Sequence, residues 1–302
     1  MKVFVTGGTG FVGTILTRGL VARGHQVTIL TRSVSKERAL RQGASILEGN
    51  PTEGGPWQEE VAEHDIVINL AGASIFRRWT DDTKKAIQDS RILSTQNLVE
   101  ALSARSGKET LFFSTSGVGY YGPHGDEELD EESPPGDGFL ASVTGQWEAE
   151  ALKAQRFGVR VFLCRFGMVL GLGGGALAKM IPLFKWCLGS ALGSGRQWVS
   201  WIHEQDLVNI YLFLIDTKDV SGLINFTAPY PVSNEEMTRL LGEALKRPTF
   251  MPPVPGFMIR LLMGEFGSVL LEGQRVIPRE LLGKGFQFQF PNLREALGDL
   301  LR

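Results

Sequence analysis

A short apolar strand that runs directly into closely spaced glycines is the feature that most constrains this fold. The chain begins MKVFVTGGTGFVG, so a strand over Lys2 to Thr6 precedes a glycine-rich turn and a helix predicted over Phe11 to Arg23. Glycines at such a turn permit tight bending, close approach of a pyrophosphate and close packing of the helix on the sheet. The pattern predicts a dinucleotide site, with a purely structural turn as the alternative. The residues expected against the dinucleotide are Thr6, Gly7, Gly10, Phe11, Val12 and Gly13.

The end of the second predicted strand, Gln26 to Leu30, indicates the type of dinucleotide. A site for NAD usually places a carboxylate there for the ribose 2′-hydroxyl, whereas a site for NADP places an arginine for the 2′-phosphate. Here the chain reads Thr31-Arg32-Ser33, and no carboxylate comes before Glu37. A guanidinium makes forked, charge-assisted bonds to phosphate oxygens. The sequence therefore favours NADP(H), held by Thr31, Arg32 and Ser33, with a solvated Arg32 as the alternative.

The charge balance argues against a polyanionic partner. The 302 residues carry a formal net charge of −2, so no general basic field attracts nucleic acid or an anionic membrane. The two cysteines, Cys164 and Cys187, form neither a disulfide framework nor a metal-ligand spacing, which favours a reducing compartment and predicts no metal site. No long apolar segment occurs and a strand starts beside Met1, so the expected location is by default the cytoplasm.

Apolar strand patterns alternate with amphipathic helical patterns through the first half of the chain. A long helix is predicted over Thr80 to Ser106. Further strands are predicted over Ser45 to Glu48, Asp65 to Leu70, Leu111 to Thr115 and Val159 to Phe166. Such alternation predicts an α/β fold, a doubly wound parallel sheet of the Rossmann type.

The second half, with its glycine run and scattered prolines, predicts a smaller, interleaved C-terminal α/β lobe. We expect an NADP-binding domain over residues 1–166 and a substrate-side lobe over residues 167–302, with a C-terminal module near residues 250–302. The strand-like Trp198 to Ile202 and the helix Glu204 to Ile215 are expected to return to the first domain, over residues 197–217. The acidic stretch Asp126 to Asp137 is expected to be a solvated surface loop.

Several motifs together resemble the extended short-chain dehydrogenases/reductases, the group that includes nucleotide-sugar epimerases. They are the glycine turn, Asn69-Leu70-Ala71-Gly72, Phe113 to Gly122 and Trp201 to Leu207. More narrowly, some segments are similar to an atypical epimerase-like subfamily, SDR39U, which has its own short C-terminal module. These are Arg78-Trp79-Thr80, Ser90-Arg91-Ile92, Trp147-Glu148 and the tail from Arg279 to Pro291. The resemblance implies NADP binding and further cofactor contacts at Leu70, Ala71, Gly72, Arg77, Arg78, Phe166, Gly167 and Met168.

The proton-transfer pair of that family, Tyr-x-x-x-Lys, is missing from this chain. In the family the lysine lies near the cofactor ribose and lowers the pKa of the tyrosine, which exchanges a proton with the substrate. The resemblance places Val143 and Trp147 at the two positions, and no tyrosine of the chain has a lysine four residues later. Ser116 is expected to face the nicotinamide, with a strand-end hydroxyl as the alternative. The candidate catalytic residues are Ser116, Tyr120 and Tyr121, and a buried structural role is the alternative for each tyrosine.

These features predict an NADP(H)-dependent oxidoreductase that acts on an unknown small carbonyl or hydroxyl compound. Reduction is favoured over epimerisation, because epimerisation must move protons in both directions. The alternative is a catalytically silent NADPH-binding sensor or scaffold, which the missing pair favours. A homodimer is expected only by analogy with the family.

Overall fold

A central parallel sheet organises the first half of the fold. The computed structural model describes residues 1–33, 43–104 and 109–302. Its strands are β1 (Lys2–Thr6), β2 (Gln26–Thr31), β3 (Ser45–Glu48), β4 (Ile66–Asn69), β5 (Leu111–Gly117), β6 (Glu128–Leu129), β7 (Arg160–Phe166), β8 (Met168–Leu170), β9 (Trp198–Val199), β10 (Trp201–His203), β11 (Gly222–Phe226), β12 (Val232–Ser233) and β13 (Arg275–Val276). Seven of them form one sheet in the order β11–β7–β5–β4–β1–β2–β3, with parallel neighbours throughout. The predicted doubly wound sheet is confirmed.

Helices cover both faces of this sheet, so alternate residues of each strand enter different cores. On β1, Val3 and Val5 face one helical layer, whereas Phe4 faces the other. Because both faces are buried, the strands are nearly continuous apolar runs, and each large side chain buried there contributes about 1.5–3 kcal/mol. The strand order reverses between β1 and β4. In such sheets, ligands bind at the carboxyl ends of the strands beside this reversal.

The helices separate into those that cover the sheet and those of the second lobe. No helix among the described residues is both long and apolar enough to cross a bilayer. The sheet is covered by Phe11–Ala22 and Glu204–Asp216 on one face and by Trp57–Val61, Asp81–Ser103 and Phe139–Leu152 on the other. The remaining α-helices are Gly175–Lys185, Asn234–Ala244, Gly256–Met263, Phe266–Leu271, Arg279–Gly283 and Leu293–Leu300, and short 3-10 helices span Val118–Tyr121 and Lys153–Phe157.

The second lobe is interleaved with the sheet rather than simply appended to it. The predicted strand from Trp198 to Ile202 is interrupted at Ser200, so β9 pairs antiparallel with β12 and β10 pairs parallel with β8. The helix Glu204–Asp216 then packs against the helix Phe11–Ala22, where Val208 fills the space that a side chain at Gly19 would need. β11 follows and pairs with β7 at the edge of the large sheet.

The acidic stretch Asp126 to Asp137 is only partly the solvated loop that the sequence predicts. Its residues 128–129 form β6, which pairs with β13 of the C-terminal module. Glu131 is buried, and its carboxylate accepts the backbone amides of Asn225 at 2.9 Å and Glu280 at 3.3 Å. Burial raises the pKa of Glu131. This carboxylate is therefore a structural link, which satisfies two amides that would otherwise be buried without partners.

Candidate functional site

The glycine turn joins β1 to the following helix through backbone that tolerates no side chain at two positions. Gly7 has a φ of +67°, and a side chain there would lie 2.6 Å from the carbonyl oxygen of Leu70. A side chain at Gly13 would overlap the carbonyl oxygen of Gly7. The turn and the helix therefore meet backbone to backbone, which is the geometry of a dinucleotide-binding turn.

The start of that helix is open at the carboxyl edge of the sheet. Gly10 is the N-cap and has no side chain to cap the helix, and the amides of Phe11 and Val12 donate to no described group. Free amides and the positive end of the helix dipole favour an anion at this point. The ring of Phe11 lies against Gly174 and Gly175, whose lack of side chains leaves room for it.

Arg32 stands beside the glycine turn with no partner among the described residues. It follows β2, whose Leu30 is in register with Thr6 of β1. Arg32 is exposed, and the Thr31 hydroxyl donates to the carbonyl oxygen of Ser33 at 3.1 Å. Glu37, the first carboxylate after Arg32, lies outside the described residues. A solvent-exposed guanidinium is therefore available next to the turn.

The carboxyl end of β4 lies directly against the glycine turn. The Thr6 hydroxyl donates to Asn69 Oδ1 at 2.7 Å, which ties β1 to β4 at the point where the strand order reverses. Leu70 to Gly72 continue from there, and the carbonyl of Leu70 lies beneath Gly7. Arg77 and Arg78 are exposed on the loop that follows, and the Arg78 side chain lies against Gly264 of the C-terminal module.

Phe166, Gly167 and Met168 lie on the same edge of the sheet, with β5 and β4 between them and β1. The ring of Phe166 packs on Phe226, with centroids 5.2 Å apart. Gly167 has no room for a side chain, because one would lie 2.6 Å from the carbonyl oxygen of Ser200. The segment therefore lies at the carboxyl end of β7, with two strands between it and the glycine turn.

The two positions that the resemblance assigns to the family's tyrosine and lysine lie in the core. Val143 and Trp147 are buried in the helix Phe139–Leu152. Trp147 Nε1 donates to Thr95 Oγ1 at 2.8 Å, and the same oxygen accepts Nδ2 of Asn69 at 2.9 Å. This helix is therefore anchored to the end of β4, and it presents no acid at either position.

Arg91 brings a positive charge close to Trp147. Its guanidinium lies 5.3 Å from the Trp147 ring centroid. A Cβ atom at Gly72 would lie only 3.2 Å from Arg91 Cζ, so the guanidinium packs closely on this glycine. Its Nη1 donates to the carbonyl oxygens of Ala73 at 3.1 Å and Ile87 at 3.0 Å, and no carboxylate of the described residues pairs with it. Burial lowers the pKa of Arg91 to about 10. The group is therefore charged at neutral pH.

Ser116, at the end of β5, turns its hydroxyl into a buried ion pair. Ser116 Oγ donates to Glu148 Oε1 at 2.6 Å. The carboxylate also accepts Nε and Nη2 of Arg165 at 2.8 and 2.7 Å, and all three residues are buried. Burial alone would lower the pKa of Arg165, but the bonds to Glu148 outweigh it and raise that pKa. The hydroxyl predicted to face the nicotinamide is therefore engaged on its core side.

The two candidate tyrosines contact the same guanidinium but differ in burial. The Tyr120 ring centroid lies 3.4 Å from Arg165 Cζ, and this side chain is half-buried. Tyr121 is fully buried, and its hydroxyl accepts Arg165 Nη1 at 3.0 Å and donates to Asn225 Oδ1 at 2.8 Å. Burial raises the pKa of Tyr121 to about 12. Tyr121 therefore lies in the core, where its hydroxyl is occupied on both sides.

His203 has an architectural position at the end of β10. Its Nδ1 accepts the amide of Gln205 at 3.0 Å and so caps the helix Glu204–Asp216. Burial lowers the pKa of His203 to about 4, which keeps the ring neutral. Within the described part of the chain, no group of three His, Cys, Asp or Glu side chains is arranged to hold a metal ion.

Comparison with known proteins places this geometry in a family. Residues 3–225 match the NAD dependent epimerase/dehydratase family, and residues 254–300 match a domain of unknown function, DUF1731. The chain belongs to the NAD dependent epimerase/dehydratase family. The resemblance found in the sequence is therefore confirmed, and so is the nucleotide-binding Rossmann fold.

Several family members match over the full length of this chain. An epimerase family protein of Arabidopsis thaliana, the chloroplastic SDR39U1 homolog, is 42% identical over 304 residues, which cover 100% of this chain and 87% of that protein. An epimerase family protein of Staphylococcus haemolyticus is 41% identical over 307 residues, which cover 100% of this chain and 99% of that protein. The crystal structure of human epimerase family protein SDR39U1 (isoform 2) with NADPH matches with a TM-score of 0.87 at 36% identity. The match covers 100% of this chain and 99% of the human chain.

Sequence reasoning missed two cations of this family member. Arg165 follows four apolar residues in strand β7, and a charge in a strand buried on both faces must have a partner. That requirement is the signal that could have found the Glu148–Arg165 pair. Arg91 leaves a weaker signal, because a single arginine on a long helix is usually solvated. Its burial depends on the loop after β4, which the local pattern does not reveal.

Proposed function

We propose that this family member binds NADP(H) and uses it to reduce a small carbonyl compound. The observation that carries the choice of cofactor is Arg32, an exposed guanidinium beside the glycine turn. Such a group suits a 2′-phosphate, whereas a bare 2′-hydroxyl would gain little from it. The human relative, crystallised with NADPH, supports the same choice.

The residues at the carboxyl edge of the sheet fit this cofactor. The open amides of Phe11 and Val12 would bind the pyrophosphate, and the absence of a side chain at Gly10 would let it come close to the backbone. The close backbone contacts at Gly7 and Gly13 hold the turn in place. Thr31, Arg32 and Ser33 would hold the 2′-phosphate. Leu70 to Gly72 would lie under the dinucleotide, and Phe166 to Met168 would contact the nicotinamide. When bound, NADPH supplies the hydride.

Reduction also requires a proton, and Tyr120 is the residue that we assign to deliver it. The face of its ring is fixed on Arg165, and its hydroxyl is bonded to no described group. Ser116 would orient the substrate oxygen by turning its hydroxyl from Glu148 to that oxygen when the substrate binds. Arg91 would supply the positive charge that the family's lysine normally brings to the cofactor ribose. Acid catalysis of this kind typically contributes 10²–10⁴-fold, so the loss of Tyr120 should lower the rate by no more than about that factor.

The cofactor and the reaction are tested separately. Thermal unfolding with NADPH and with NADH tests the cofactor, and equal stabilisation by the two would overturn the choice. The reaction is tested by mixing the protein with NADPH and a set of aldehydes and ketones, while the absorbance of the reduced nicotinamide is followed. Tyr120→Phe should slow the loss of absorbance, and Tyr230→Phe, a change at an exposed tyrosine, should not.

A catalytically silent NADPH-binding sensor or scaffold is the second candidate. Two observations favour it: the Ser116 hydroxyl is already held by Glu148, and Val143 and Trp147 are buried apolar residues. Binding alone would stabilise the fold by about 2.7 kcal/mol at a hundredfold excess of cofactor over Kd. Stabilisation of this size, with unchanged nicotinamide absorbance for every carbonyl compound, would favour the sensor or scaffold over the reductase.

A further inference from the structure

The helix Gly256–Met263 of the C-terminal module exposes nearly all of its apolar side chains. Ile259 is its buried residue, whereas Phe257, Leu261 and Leu262 are 71%, 73% and 70% exposed. Phe257 and Leu261 lie four residues apart, as do Met258 and Leu262, so both pairs are neighbours on the helix surface. Single exposed apolar residues are ordinary, but a contiguous apolar surface marks a site of interaction.

A second exposed apolar group lies beside this helix. It begins in the last turn of the helix Gly175–Lys185 and includes Trp186, which is 80% exposed. The two segments run side by side, because Ser190 Oγ donates to the carbonyl oxygen of Pro252 at 2.6 Å and Leu192 pairs with Val254. We call the exposed apolar side chains of these two adjacent segments the apolar face: Leu183, Trp186, Leu188, Phe250, Met251, Phe257, Met258, Leu261 and Leu262.

The two segments that carry the apolar face contain lysines and arginines but no aspartate or glutamate. Neither residues 167–203 nor residues 246–264 contain an Asp or Glu. Within them Lys185, Lys246, Arg247 and Arg260 are exposed, and none of the four forms an ion pair with a described residue. Glu243 and Glu265, which flank the second segment, are already paired, with Arg239 and Arg294 in the first case and Lys84 in the second. The chain is weakly acidic overall, yet these two segments are basic.

We propose that the apolar face docks on an anionic lipid bilayer. Aromatic, leucine and methionine side chains would enter the headgroup region, while the surrounding lysines and arginines contact lipid phosphates. A second copy of the chain fits less well, because a twofold contact would bring the same unpaired cations towards one another. The net charge of the chain predicts no membrane partner, but that average hides a local excess of positive charge. The inference is independent of the proposed reaction.

Flotation of the full chain with vesicles tests this proposal. One set of vesicles contains phosphatidylcholine alone, and the other contains phosphatidylcholine with phosphatidylglycerol. We expect binding to the second set only, and weaker binding as salt is raised. Lys246→Gln and Arg260→Gln should each weaken binding about fivefold, since each removes one cation near the lipid surface. Phe257→Ser together with Leu261→Ser should abolish it, with little change in thermal unfolding because both side chains are exposed.

A matched control lies far from the apolar face. Arg156→Gln and Phe157→Ser remove a cation and an exposed phenylalanine from the turn Lys153–Phe157, which precedes the amino end of β7, and should leave vesicle binding unchanged. Three results would overturn the proposal: no binding to either set of vesicles, binding that survives the Phe257 and Leu261 changes, or binding lost equally in the control. A concentration-dependent dimer that Leu261→Ser dissociates would assign the face to a second copy instead.

Discussion

Ser116 Oγ donates to Glu148 Oε1 at 2.6 Å, so the hydroxyl at the end of β5 is held from below by a buried carboxylate. The same carboxylate carries both forked bonds from Arg165, and Arg165 in turn supports Tyr120 and Tyr121. Glu148 therefore connects every candidate catalytic residue of this family member. We expect the negative charge of Glu148 to hold Ser116 and Arg165 in place. This structural role can be tested without knowledge of the substrate.

Glu148→Gln should destabilise the fold by about 3–5 kcal/mol, because it leaves the Arg165 guanidinium buried without a counter-charge. Urea unfolding measures the change. The matched control is Glu150→Gln, two residues along the same helix, where the partly exposed carboxylate pairs with the exposed Lys153. Loss of a surface pair should cost less than about 1 kcal/mol. Equal losses in the two variants would contradict a structural role for the buried charge.

The same chemical change at two glycines should have opposite effects. Gly13→Ala places a methyl group against the carbonyl of Gly7 and should cost about 1–3 kcal/mol, with loss of NADPH affinity. Gly145→Ala adds a methyl group inside the helix Phe139–Leu152, where it meets nothing within 4 Å, and should stabilise by about 0.5–1 kcal/mol. Thermal unfolding with and without NADPH compares the two variants. A stable Gly13→Ala protein with unchanged affinity would contradict the close packing of Gly13 on the backbone of Gly7.

Arg32→Ala should weaken NADPH binding about 10–100-fold and leave NADH binding nearly unchanged. A hydrogen bond to a charged group contributes about 1.5–3 kcal/mol, and only NADPH carries the phosphate that receives it. Isothermal titration calorimetry measures both affinities. Arg23→Ala removes a surface cation that pairs with Asp216 at 3.5 Å, and it should affect neither cofactor. Parallel losses for NADPH and NADH would mean that Arg32 does not read the 2′-phosphate.

Stability should fall as the pH drops from about 6.5 to about 4, in part through His203. Burial lowers its folded pKa, so the unfolded chain binds a proton across this range while the folded chain does not, and protonation favours unfolding. The loss due to this residue is at most about 3 kcal/mol. His203→Asn keeps a capping oxygen but removes the titration, so urea unfolding should show a flatter pH dependence.

His25 and His64 provide an internal reference for that measurement. Burial lowers the pKa of both, and the His203→Asn protein retains them. The acid sensitivity that remains in the variant therefore measures the other groups, and the difference from the unmodified protein measures His203. Identical pH profiles for the two proteins would contradict the assignment.

The sheet and the cofactor turn could be predicted because their requirements are local. Gly7 is demanded by its own positive φ and Gly13 by the backbone of Gly7 and Gly8, and the strand pattern follows from burial on both faces. The site below Ser116 is different. Glu148 meets Arg165 only because β7 lies beside β5 and one helix crosses both, and this depends on strand order and helix rotation. Glu131 was expected in solvent for the same reason, since its partners Asn225 and Glu280 are distant in the sequence.

The position of β7 between β5 and β11 has a consequence for the order of synthesis. When β7 leaves the ribosome, one of its edges still lacks a neighbour, and the apolar surface around Phe162 lacks the helix Glu204–Asp216 that later covers it. An unpaired strand edge beside an uncovered apolar surface is prone to aggregate. We expect the nascent chain to need chaperone protection until Gly222–Phe226 has emerged and closed the sheet.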